Sequence, residues 1–100
     1  MCLFPQVQCF PLQAVLMALD NPKVDYFSLD IEGAEFPVLQ SLDWPKVDIS
    51  VLSIEVAHAG HIFEGTRLDI HRLLKNHHYT NMTTVAIDDV FMKKSMLKKR

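Results

Sequence analysis

Apolar residues along this chain fall into alternating short runs with strand-like and helix-like periods. Leu12, Val15, Leu16 and Leu19 make one helical face, with Pro11 suited to the first helical position and Asn21-Pro22 as the stop. Val24 to Asp30 follows as a strand rich in β-branched and aromatic residues. Ala34, Val38, Leu39 and Leu42 return to helical spacing, and Trp44 is expected to pack over that helix's end. Ile49, Val51, Leu52, Ile54 and Val56 put apolar residues on both faces of a second strand, which predicts a central parallel strand covered by helices on each side. A loop from Ala57 to Gly65 leads to a helix opened by a Thr66–Asp69 capping box, with Leu68, Leu73 and Leu74 as its apolar stripe and Ile70 on the flank. Tyr79 to Ala86, an Asp88-Asp89 turn and Val90 to Met92 predict a closing antiparallel hairpin, while Met1 to Phe10 reads as an irregular lead-in. The class is α/β, because strand–turn–helix units of this kind build parallel sheets.

The chemistry gathers where strands end. In VDYFSLDIEGAEFPVLQSL, residues 24–42, Asp30 and Glu32 stand at the carboxyl end of the first strand, and Gly33 opens the turn into the helix. Ligands bind beyond the carboxyl ends of strands in open parallel sheets, so these acids, Glu55 on the neighbouring strand and His58 are expected to converge on one cleft. The competing reading has Asp30 or Glu32 capping the following helix. Mg²⁺ held between the carboxylates is weighed, but no residue is assigned as a metal ligand. His58-x-x-His61 has no third ligand and is a weak zinc signal, and His71, His77 and His78 read as structural or exposed.

Composition narrows the function classes. A hundred residues, 49% hydrophobic, suffice for one small folded domain spanning 1–100. A formal net charge of -2 gives no steering toward nucleic acid, and basic residues concentrate only in the tail, 93–100. Cys2 and Cys9 allow a single disulfide and no framework. No apolar run is long enough to span a membrane and no signal peptide is visible, so any membrane association would come from a region outside these residues. Asn81-Met82-Thr83 is a glycosylation sequon lying in a predicted strand.

The run from Cys9-Phe10-Pro11-Leu12 through Asp30-Ile31-Glu32-Gly33-Ala34-Glu35 to Leu52-Ser53-Ile54-Glu55-Val56 resembles the FkbM-type methyltransferase domain, particularly the Star-like invertebrate branch of the secretory pathway. The resemblance implies a seven-stranded Rossmann-like fold of three layers, S-adenosylmethionine as donor, and transfer of a methyl group to oxygen. Only the C-terminal half of that fold is covered: parallel strands plus the terminal hairpin. Carried onto this chain, it makes Asp30, Glu32 and Gly33 cofactor-binding and Glu55 or His58 the base that relieves the acceptor of its proton. The acceptor, a small molecule or glycan, is not named by the residues. Gly33, Gly60 and Gly65 are the only glycines and none forms a G-x-G turn, so the donor pocket is expected to be incomplete and the chain a fragment or a degenerate domain. The first strand should then present a bare apolar edge able to self-associate. The alternative function is a non-catalytic interaction or trafficking domain of the Star-like kind, cytoplasmic or endomembrane.

Overall fold

In the computed structural model, the structure describes residues 9–97, which run α1 (Leu12–Ala18), β1 (Lys23–Leu29), α2 (Glu35–Ser41), β2 (Asp48–Glu55), α3 (Arg67–Asn76), β3 (Tyr79–Val85), β4 (Asp88–Lys93) and α4 (Lys94–Leu97). Cys2, one half of the disulfide the sequence allows, lies outside the described residues, as does the end of the basic tail. Pro11 caps α1 in extended geometry rather than occupying its first turn. Past α1, Asp20 and Asn21 take left-handed backbone at φ 65° and 47°, which turns the chain before Pro22 and into β1.

The four strands form one mixed sheet in the order β1-β2-β4-β3. β1 pairs parallel to β2, with Val24 opposite Ile49 and Leu29 opposite Ile54. β2 is central as expected, but parallel on one side only: its other neighbour is β4, antiparallel, with Leu52 opposite Phe91. β3 and β4 form the expected hairpin. Its turn, however, is Ala86-Ile87, and Asp88 and Asp89 belong to β4. Ala86 supplies the positive φ that a two-residue hairpin turn demands, at 56°, in place of the Asp, Asn or Gly signal on which a sequence reading relies.

Burial is deepest along β2. Leu29, Leu52, Ile54 and Phe91 share a face of the sheet and are buried, with Ile70 and Leu74 of α3 in the same apolar cluster and His71 of α3 edge-on to Phe91 at 5.0 Å. On the opposite face Ile49, Ser53 and Glu55 are buried and Val51 and Met92 half-buried, while Tyr26 of β1 is 59% exposed. β2 is thus buried from both sides, whereas β1 is open on the face that bears Tyr26. α3's core stripe is the predicted one in part: Leu74 is fully buried and Leu73 packs against the core, but Ile70, read as flanking, is fully buried and Leu68 faces water. Its capping box forms as read, with the Thr66 side chain accepting from the Asp69 N–H and Asp69 from the Thr66 N–H. Trp44 lies in a 3₁₀ turn, Trp44–Lys46, where its ring nitrogen donates to the Leu39 carbonyl at 3.0 Å and its ring stacks on His77. That contact closes α2's C-terminal end, in the place expected for the ring.

Candidate functional site at the carboxyl ends of β1 and β2

The parallel register decides this site. Leu29 lies opposite Ile54, so the chain leaves β1 at Asp30 beside the end of β2 at Glu55. After Asp30 the backbone turns sharply, with Glu32 at φ 57° and Gly33 at φ 103°, and α2 begins at Glu35. That short turn brings Glu35 back over the strand tip, where one of its carboxylate oxygens accepts the Ile31 N–H at 2.7 Å. Glu55 accepts the Ala57 N–H in the same way from the other side. Each of Asp30, Glu35 and Glu55 offers a carboxylate oxygen, and the three lie within 4.8 Å of one another.

The two glutamates are buried and Asp30 is exposed, so the group opens on the Asp30 side. Glu35 Oε1 and Glu55 Oε2 are buried oxygens that accept no hydrogen bond from the described residues. None of the five ion pairs among the described residues reaches this group. The sequence alone does not mark Glu35 as a site residue. The available signal was its place in the first turn of the predicted helix, five residues beyond Asp30, from which a carboxylate can reach back to the strand end.

Glu32 and His58 make a separate pair. At that turn the Glu32 carboxylate meets the His58 ring at 3.4 Å, with His61 edge-on to His58 at 6.1 Å. Asp30 and Glu32 thus do not share a face, because β1 ends before Glu32 and its alternation with it. Neither acid caps α2: its N-cap is Ala34 and makes no side-chain cap. Gly33 is needed for space as well as for its backbone, since a Cβ there would sit 2.8 Å from the His58 carbonyl oxygen. Gly33→Ala is expected to cost about 2 kcal/mol and to loosen the loop after β2; urea unfolding and amide exchange of 57–61 would register both.

A third buried carboxylate, Asp89, is fully engaged. Arg67 grips it with two hydrogen bonds at 2.7 and 2.8 Å, His71 meets it at 2.7 Å and Thr84 donates at 2.6 Å. Burial pushes its carboxyl up, but the hydrogen bonds from Arg67, Thr84 and His71 and the Arg67 charge outweigh that and hold it at about 2. The cluster locks α3 to the hairpin and gives His71 the structural place read for it. Beside it lies a cavity of about 480 Å³ lined by residues that include His71, Arg72, Lys75 and Lys94; it shares no residue with the carboxylate group at the strand tips.

Two parallel strands whose carboxyl ends gather acids beside a strand–turn–helix describe an α/β domain with its chemistry at the sheet edge. The chain belongs to the methyltransferase FkbM domain family, whose model matches residues 5–80, from ahead of α1 to the start of β3. No curated protein and no solved structure matches it.

Proposed function

We propose that this chain is the acceptor-side, C-terminal part of an S-adenosylmethionine-dependent O-methyltransferase domain. The observation that carries the reading is the meeting of Asp30 and Glu55 at adjacent parallel strand ends in a chain of this family. The order β1-β2-β4-β3 supports it, being the order expected for the second half of a Rossmann-like methyltransferase sheet. The donor-binding strands would dock on β1, whose free edge is the side away from β2, and their helices would cover the face that bears Tyr26.

In the reaction the acceptor oxygen forms a bond to the methyl carbon while the carbon–sulfur bond breaks and its electron pair stays on sulfur. The protein must align the acceptor and take its proton. His58 is the more accessible base, exposed and held by Glu32, whereas Glu55 is buried and anchored by the Ala57 N–H. In this reading Asp30 and Gly33 face the donor. Glu32 then serves by orienting His58 rather than by touching the donor.

Calorimetric titration of S-adenosylmethionine into this chain should give no saturable binding below about 1 mM, because no glycine-rich turn is present to cradle the donor. Tight binding would sink the view that the donor half lies elsewhere. With that half supplied, Asp30→Asn and Glu55→Gln should each lower methyl transfer at least about 100-fold. Full activity in both would remove the site assignment. The second reading, a non-catalytic Star-like interaction domain, is favoured by the same lack of a glycine turn. It expects β1's open edge to carry a partner or a second copy, which light scattering on the purified chain would register as a dimer.

A further inference from the structure

We propose that Asp30, Glu35 and Glu55 bind a hard divalent cation of about the size of Ca²⁺. Three carboxylates alone would be an ordinary acidic cluster. Here two of them are withdrawn from water, and each keeps an oxygen, Glu35 Oε1 and Glu55 Oε2, that accepts no hydrogen bond from the described residues. Asp89 shows how this same chain treats a buried carboxylate that needs no ion: four hydrogen bonds, two of them from a guanidinium. At the strand tips no lysine, arginine or histidine among the described residues plays that part. Burying two anions side by side without a counter-charge is costly, and a cation between them removes the cost.

Ligand type and coordination habit select the ion. Three carboxylate oxygens within 4.8 Å of one another are the hard, oxygen-only set that Ca²⁺ takes in its irregular, many-ligand coordination. Mg²⁺ demands near-octahedral geometry at about 2.1 Å and gives up its waters reluctantly, so a floor of two buried carboxylates suits it less. Zinc is disfavoured because the group holds no cysteine or histidine and His58 is engaged with Glu32. The buried glutamates would form the floor of the site and exposed Asp30 its mouth, leaving water-filled positions on the open side that an acceptor oxygen could take. The inference needs no donor and stands apart from the methyltransferase reading.

The test is titration of CaCl₂ and MgCl₂ into the chelator-stripped 100-residue chain, followed by calorimetry and thermal unfolding. The expected result is saturable Ca²⁺ binding, tighter than Mg²⁺, with a rise in Tm. Asp30→Asn, at an exposed position that folding does not depend on, should weaken it at least about tenfold, and Glu55→Gln should abolish it. Glu35→Gln should abolish the Ca²⁺ response while leaving Tm in chelator unchanged or higher, since it relieves repulsion between buried anions. Asp43→Asn, at a surface ion pair with Lys46, is the control and should bind as the wild type does. No Ca²⁺ response at millimolar concentration would overturn the proposal, as would equal weakening by Asp43→Asn and Asp30→Asn.

Discussion

Replacing Asp89 by alanine is expected to destabilise the protein by about 3 kcal/mol, a large share of what so small a domain has to lose. The substitution releases Arg67, His71 and Thr84 together, and these are the groups that tie α3 to the β3–β4 hairpin. Arg67 is exposed along part of its length and can return to water, which keeps the effect near the lower end for broken buried pairs. The wild type should show the same interaction as a pH dependence. Its carboxyl is held at about 2, against 3.8 for an unperturbed aspartate, so the stability it contributes is complete above pH 4 and is lost as pH falls toward 2. That loss amounts to about 2 kcal/mol. Urea unfolding of wild type and Asp89→Ala at pH 7 and at about pH 2.5 should show the gap narrowing at the lower pH. An unchanged gap would mean that Asp89 acts through packing rather than through its charge.

Gly65→Ala is expected to be comparably damaging, at about 3 kcal/mol, and to act on the site rather than on the hairpin. Gly65 has φ 100°, and a Cβ there would fall within about 2.3 Å of Phe36 Cβ, Cγ and Cδ2. Those atoms are the root of the Phe36 ring, not a flexible tip, so either Phe36 leaves its place next to Glu35 or the loop lifts away. In both cases the loop carrying His58 loses its rest on α2. The expected signature is a lowered midpoint in urea together with faster exchange of the amides from Ala57 to Glu64, with α3 and the hairpin protected much as before. A Tm equal to wild type would show that Phe36 has room to move.

Much of this organisation was legible in the residues because it is local. The two parallel strands, the helices between them, the Thr66–Asp69 cap and the closing hairpin follow from spacing and from residues with fixed habits at element ends. Pattern misleads where packing outranks it. Leu68 fits a helical stripe as well as Ile70 does, yet only the approach of α3 to the sheet decides that Ile70 is the buried one. Asp88-Asp89 looks like a turn from composition. Arg67, 22 residues from Asp89, is what draws that aspartate into the core.

The site divides along the same line. By itself the sequence determined that carboxylates would end two neighbouring strands, that a glycine would turn the first of them into a helix, and that the chain is of the FkbM type. Only the tertiary structure decided which acids meet. Positive φ at Glu32 and Gly33 rotates Glu32 out to His58 and lays Glu35 over the tip of β1, and the parallel register sets Glu55 beside them. A side chain's direction after a turn depends on dihedral angles that no spacing rule specifies. Its neighbour across a sheet depends on a pairing between segments 25 residues apart, Lys23 opposite Asp48.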